Sequence, residues 1–278
     1  MFKHRFTRRD FLKTAGTLVV ATSCGSNSQI ISGEKGSDGD PRPIFPLRDT
    51  LSVSVGGSTG FIYTPNIYLP GEEVPWVWSA PILKGVPGSI QTWLFDRIRN
   101  AGFAVVGIDV GESYGSPAGV AIFNLFYAYL TLKYKVKPQA VLFPQSRGGL
   151  QLYNWAAAYP SQVSRSGGIY PICDPRIYPG SATAAAAYGM TEAQFLININ
   201  LYAPVLNSVP LARTGVTIYH ISGDSDLTVP AVSNSLAMQT FYRANGGTMT
   251  VELVAGHGHE EIAEYFQSSN LLNFLIGI

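Results

Sequence analysis

The sequence has only two cysteines in 278 residues, Cys24 and Cys173, which excludes a disulfide framework as the support of the fold. Charge is scarce as well, at 13% of residues with a formal net charge of +1. Lys3, Arg5, Arg8, Arg9 and Lys13 all precede Cys24, with Asp10 as the one acid among them. The remainder is therefore slightly acidic and lacks the basic surface of a nucleic-acid-binding body, so no nucleic-acid partner is expected. Neither a Gly-x-Gly-x-x-Gly nor a Walker sequence occurs, so no nucleotide cofactor has support, and none of another kind is expected. No collagen-like or coiled-coil repeat is present. What is abundant is apolar and turn-forming: 46% hydrophobic residues, 12% aromatic, 29 Gly and 18 Pro. That composition belongs to a globular protein, and one α/β domain commonly reaches ~250 residues.

The N-terminus reads as an address. Thr7-Arg8-Arg9-Asp10-Phe11-Leu12-Lys13 resembles a twin-arginine export signal, followed by the uncharged stretch Thr14 to Ser23, which is too short to span a bilayer. Val20-Ala21-Thr22-Ser23-Cys24 looks like a degenerate lipobox. Cleavage with lipid attachment at Cys24, or ordinary cleavage nearby, both fit. Residues 25–46, rich in Gly, Ser, Asp and Pro, read as a flexible tether, and 47–278 as the folded domain. The expected location is exported, periplasmic or at the cell surface. Cys173 is expected to be a lone buried thiol.

From Leu51 onward β-rich runs alternate with helical ones, the pattern of a mostly parallel sheet flanked by helices. Leu51–Val55 and Phe61 to Leu69 form an antiparallel start. Strands follow at Trp76–Trp78, Phe103–Asp109, Ala140–Phe143, Ser166–Tyr170, Thr217–Ile221 and Thr250–Val254. Helices are expected around Ile90–Ile98, from Val120 to Tyr134, from Gly148 to Tyr159, from Ala231 to Ala244, and from about Glu260. The segment 174–213 breaks this rhythm and is expected to form a short lid before the acid-bearing strand, over the carboxyl edge of the sheet where open α/β sheets bind ligands.

Three loops carry chemistry. Phe143-Pro144-Gln145-Ser146-Arg147-Gly148-Gly149 places a serine between a strand and a helix, the context of a nucleophile elbow, in which a strained turn exposes the hydroxyl. Ser222-Gly223-Asp224-Ser225-Asp226 follows a strand and offers a carboxylate to orient an imidazole, with Asp226 preferred and Asp224 assigned to the turn. Asp174, on the loop after the preceding strand, is the reserve acid. Gly256-His257-Gly258-His259-Glu260 follows the last strand and offers the general base, with His259 preferred over His257. Serine, aspartate and histidine thus stand at three strand ends in the chain order of one known arrangement.

Strand order and all three motifs resemble the α/β-hydrolase fold from about Leu51 to the C-terminus. Pro75–Pro81, Tyr114-Gly115-Ser116-Pro117, Ser146-Arg147-Gly148-Gly149, Tyr153–Ala157, Pro171-Ile172-Cys173-Asp174 and Tyr178-Pro179-Gly180 resemble a bacterial subgroup of secreted esterase-like enzymes, often associated with polysaccharide breakdown. The resemblance implies the triad Ser146, Asp226 and His259. It also implies an oxyanion hole made by the amide of Arg147 and a donor after the Trp76–Trp78 strand. There most members carry His-Gly and this chain has Ala80-Pro81, and because Pro81 has no N–H the expected donor is Ile82. The subgroup has Gly where this chain has Pro144, and Trp where it has Tyr178.

Around this centre, Glu112, Tyr114, Asp174 and Tyr178 are candidate substrate contacts. The side chain of Arg147 is expected to bind a substrate carboxylate or, preferentially, to pair with Asp174. Trp76 and Trp78 are read as core. The expected activity is an extracytoplasmic serine hydrolase, a carboxylesterase for small or carbohydrate-linked esters. The alternatives are a small serine peptidase of the same fold, a metal-dependent hydrolase built on His257 and His259 with His220, and a non-catalytic binding lipoprotein.

Overall fold

A computed structural model describes residues 40–68 and 73–278. The signal, Cys24 and the expected tether up to residue 39 lie outside the described residues. The last part of that tether differs from expectation. The amide of Lys135 donates to Pro43 O at 3.0 Å, Arg42 Nη1 to Thr131 O at 2.7 Å, and Phe45 is fully buried against Tyr134. An aromatic ring at Phe45 gains more from burial than a solvated linker can return, so the packed domain begins before Leu47.

Among the described residues eight strands make one sheet: β1 (Thr50–Val55), β2 (Ser58–Tyr63), β3 (Trp76–Ala80), β4 (Ala104–Ile108), β5 (Ala140–Pro144), β6 (Val163–Ile169), β7 (Thr217–Gly223) and β8 (Thr248–Val254). Their spatial order is β1-β2-β4-β3-β5-β6-β7-β8. The β1–β2 and β2–β4 pairs are antiparallel, and from β4 through β8 every pair is parallel. The antiparallel start is therefore as expected, with β2 ending at Tyr63 rather than Leu69. The parallel strands are joined by α1 (Thr92–Asn100), α2 (Pro117–Lys133), α3 (Gly148–Ala158), a set of short helices after β6, and α8 (Ser235–Ala244).

Side-chain alternation along the strands divides the core into two layers. Trp76 and Trp78 face α2 and α3, where Trp78 meets Phe123 at 5.0 Å and Trp155 at 4.7 Å between ring centroids. Val77, Val105 and Val141 face the other way, onto Leu94 and Ile98 of α1 and Leu271 and Leu275 of α10 (Ser269–Ile276). Both faces of the central strands are covered, which is why they read as near-continuous apolar runs.

Two helices expected from periodicity are broken. The run from Ala231 is a 3-10 turn, Ala231–Ser233, and then α8, because Asn234 has φ −119°, ψ −91° and spends its side chain on the loop after β6. Its Oδ1 accepts from the amide of Cys173 at 2.8 Å and that of Asp174 at 3.2 Å. The terminal run from Glu260 is likewise split into α9 (Ala263–Phe266) and α10. The region 174–213 is an irregular turn, Arg176–Gly180, followed by α4 (Ser181–Ala187), α5 (Glu192–Ile197), α6 (Pro204–Asn207) and α7 (Val209–Arg213). It is tied to α3 through Asn154, whose Nδ2 donates to Tyr188 Oη and Tyr202 O, both at 3.0 Å.

Candidate active site

The elbow is built by close approach. Strand β5 ends at Pro144, Ser146 takes φ +48°, and α3 starts at Gly148. A left-handed conformation is costly for a residue with a Cβ and persists only where the surroundings hold it. Here Ser146 N donates to Ile169 O at 3.1 Å, while its carbonyl accepts from Ile172 N at 2.8 Å and Gly149 N at 2.9 Å. A Cβ at position 148 would lie 1.9 Å from Ala80 O, and one at 149 would lie 2.3 Å from Ile172 O. Both glycines are therefore required by the backbone of neighbouring strand ends. Pro144, where a small residue is usual, is accommodated from across the sheet, because a Cβ at Gly168 would lie 2.6 Å from Pro144 O and 2.9 Å from its ring.

The structure brings Ser146, His259 and Asp226 together. Ser146 Oγ lies 3.0 Å from His259 Nε2, and His259 Nδ1 lies 2.8 Å from Asp226 Oδ2. The carboxylate takes the proton-bearing Nδ1, which leaves the Nε2 lone pair to accept from the serine hydroxyl. The side chain of Asp226 is fully buried, and its other oxygen accepts from the amides of Thr228 (2.9 Å) and Val229 (2.7 Å). A buried carboxylate held by three hydrogen bonds across its two oxygens keeps one orientation.

Asp224 and His257 are placed elsewhere. Asp224 Oδ1 accepts from Gly256 N and from Ser225 Oγ, each at 2.8 Å. Those bonds, the hydroxyl first, hold its carboxyl below the usual aspartate range. Asp224 thus clips the acid loop to the histidine loop. His257 Nδ1 lies 2.9 Å from Glu260 Oε1, which also accepts from Gly258 N at 3.0 Å. His220, the third histidine of the metal reading, is fully buried on β7 and bonded to Tyr153 Oη (2.6 Å) and Ser235 Oγ (3.0 Å). The three histidines make three separate sets of contacts. Among the described residues no group of three or more His, Cys, Asp or Glu could hold a metal ion.

The expected Arg147–Asp174 pair does not form. Arg147 pairs with Glu112, and its guanidinium lies over the Tyr178 ring at 5.8 Å. Asp174 instead holds Arg176 in a two-pronged contact with Nε at 2.9 Å and Nη2 at 2.5 Å, and also accepts from the Arg176 amide at 2.9 Å. A partner two residues away closes the turn after β6 at little entropic cost, so the local arginine wins. Tyr114 is buried next to this group, and desolvation together with its bond to Glu112 pushes its hydroxyl up to about 12. Ile82 follows the end of β3, which is fixed to the elbow by Gln145 N donating to Ala80 O at 2.8 Å. Cys173 is a free, fully buried thiol, pushed well above its usual range by burial.

One residue next to the imidazole has no signal in the sequence patterns. Tyr170, directly after β6, has φ +33° and packs its ring 4.2 Å from that of His259. Serine, histidine and carboxylate were found by motif, but an aromatic residue at a strand end reads as core.

No family model matches the sequence, and no curated protein matches it. Solved structures do. An S-formylglutathione hydrolase from Agrobacterium tumefaciens is similar over 81% of this chain and 92% of its own, with 15% identity and a TM-score of 0.61. A truncated carbohydrate esterase from gut microbiota is similar over 78% of this chain and 90% of its own, with 17% identity and a TM-score of 0.59. Porphyromonas gingivalis dipeptidyl peptidase 4 aligns with 82% of this chain at 14% identity and a TM-score of 0.64, but the chain spans only 35% of its length. With this strand order, the elbow after β5, the carboxylate after β7 and the histidine after β8, the chain has the α/β-hydrolase fold.

Proposed function

We propose that the chain is a serine hydrolase acting on carboxylic esters of small molecules or carbohydrates, with Ser146 as nucleophile, His259 as general base and acid, and Asp226 as its orienting carboxylate. The observation that carries this reading is the continuous contact from Ser146 Oγ through both nitrogens of His259 to Asp226 Oδ2, at 3.0 and 2.8 Å. His259 Nε2 takes the hydroxyl proton as Oγ attacks the ester carbonyl. The oxyanion that develops is received by the amides of Arg147 and Ile82, a pairing in which each donor is worth ~3–4 kcal/mol in a well-formed hole. Collapse expels the alcohol, which takes its proton from the imidazolium, and leaves an acyl-enzyme on Ser146. Water then repeats the sequence with His259 as base.

Ester rather than amide cleavage is favoured because the chain matches the two hydrolase and esterase structures over at least 90% of their length and the peptidase over about a third. Glu112, Tyr114 and Tyr178, grouped around the Arg147 side chain, are assigned to the substrate rim. The Arg8-Arg9 signal supports export, with lipid attachment at Cys24 or simple cleavage setting the mature N-terminus. A secreted esterase-like subgroup is the family reading consistent with this.

Labelling by a fluorophosphonate, with the modified residue mapped by mass spectrometry, tests the nucleophile. Wild type should be labelled on Ser146, and Ser146→Ala should remain folded and lose both labelling and turnover. A panel of graded acyl esters, acetylated sugars and aminoacyl amides then separates esterase from peptidase. Retained turnover in Ser146→Ala overturns the assignment.

A further inference from the structure

The ring nitrogens of an imidazole donate and accept in the plane of the ring, so the two hydrogen bonds of His259 act along that plane. They fix where the nitrogens point but leave the ring able to tilt out of that plane. The backbone of its loop is pinned, since Gly256 N donates to Asp224 Oδ1 at 2.8 Å, Gly258 N to Glu260 Oε1 at 3.0 Å and Ser225 N to His257 O at 3.1 Å, so the freedom left to His259 is that of its side chain. A side chain packed closely against the ring is what removes the remaining freedom.

Tyr170 makes that contact. Its ring centroid lies 4.2 Å from that of His259 at an interplanar angle of 51°, and its side chain is buried. It is itself held in place. The edge of Tyr265 meets it at 5.2 Å and 87°, and Tyr265 Oη donates to Gly258 O at 3.0 Å, inside the histidine loop. The Tyr170 hydroxyl is close enough to the side chain of Gln145, the residue before Ser146, to be influenced by it. Gln145 Oε1 in turn accepts from Gln91 Nε2 at 2.9 Å, and Gln91 Oε1 accepts from Gly88 N at 2.8 Å. The backbone of Tyr170 is in the left-handed region at φ +33°, with its amide anchored to Ile221 O of β7 at 2.7 Å. A bulky residue in so costly a conformation, packed against a reactive group, is the kind of outlier that points to a role.

We propose that Tyr170 is a positioning residue, whose ring, packed 4.2 Å from the imidazole of His259, holds it in line between Ser146 and Asp226. The proposal rests on the serine-hydrolase reading above. The effect of Tyr170 runs through the ring it supports.

The test compares Tyr170→Leu, which removes the aromatic face, with Tyr170→Phe, which keeps it and removes only the hydroxyl. Fluorophosphonate labelling reports activation of Ser146 without depending on substrate binding. For Tyr170→Leu, kcat and the labelling rate should fall together by roughly 10- to 100-fold, the scale of a small misplacement of a catalytic group, with KM within about 2-fold. Tyr170→Phe should restore both to within about 3-fold of wild type. Wild-type rates in folded Tyr170→Leu, or equal losses in the two variants, overturn the proposal. Should Tyr170→Leu fail to fold, Tyr170→Met fills similar volume without a π face and carries the same comparison. Failure of both to fold marks the position as packing alone and also overturns it. Absence of Ser146 labelling in wild type is a different outcome, because it removes the hydrolase reading on which the proposal stands.

Discussion

Asp226 offers its buried Oδ2 to His259 Nδ1 at 2.8 Å, while Asp224, two residues earlier, turns its carboxylate to the amide of Gly256 at the same distance. Replacing Asp226 by Asn keeps the shape but no longer selects the tautomer with Nε2 free, so turnover should fall by roughly 10²- to 10⁴-fold at unchanged fold. Asp224→Asn weakens a clip between loops and should lower the unfolding midpoint more than it lowers kcat. Steady-state kinetics and thermal melts on the two variants decide this, and a larger kcat loss in Asp224→Asn moves the acid by two residues.

His259→Ala should abolish turnover, since the base is removed. His257→Ala should keep a substantial fraction of it, because His257 contacts Glu260 and not Ser146. Under a metal mechanism both substitutions should be comparably damaging, and chelation followed by Zn²⁺ should remove and restore activity. Equal losses with metal rescue would therefore end the triad assignment.

Gly148→Ala should be among the most damaging single-methyl changes in the protein. The added Cβ would stand 1.9 Å from Ala80 O, a backbone atom, and since the Cβ position is set directly by the backbone of position 148, the clash is relieved only by moving the end of β3 or the start of α3. Overpacking of this kind costs about 3 kcal/mol or more. Chemical denaturation should show that loss together with loss of Ser146 labelling. A wild-type midpoint would mean that the elbow and β3 separate readily.

His220 predicts a slope of stability with pH. Burial lowers its folded-state value to about 3 from 6.5, so between those values the unfolded chain takes up a proton that the folded one refuses. The folded protein is favoured above pH ~6.5 and loses up to about 1.4 kcal/mol per unit as pH falls below that. His220→Gln, which keeps a polar partner for Tyr153, removes this titration while leaving all carboxylates in place. Urea unfolding from pH 7 to 4.5 should show wild type losing stability faster than the variant; parallel curves overturn the account.

Local sequence patterning already carried the order of strands and helices, because apolar runs punctuated by Gly and Pro hold that information residue by residue. It also determined which serine, aspartate and histidine stand at strand ends, since each lies in a loop with its own local signature. The preference for Asp226 over Asp224 and for His259 over His257 followed from position within those loops. The partners of these side chains, by contrast, came from long-range packing. Arg147 takes Glu112, 35 residues away in sequence, because the loops after β4 and β5 emerge at the same edge of the sheet, while Asp174 keeps the arginine two residues along its own chain. The break at Asn234 was equally illegible, since it depends on amides of Cys173 and Asp174 some sixty residues earlier. Tyr170 looked like the last core residue of a strand. Its contact with His259 depends on a left-handed turn and on β8 returning beside β7, and both come from long-range packing that no local pattern records.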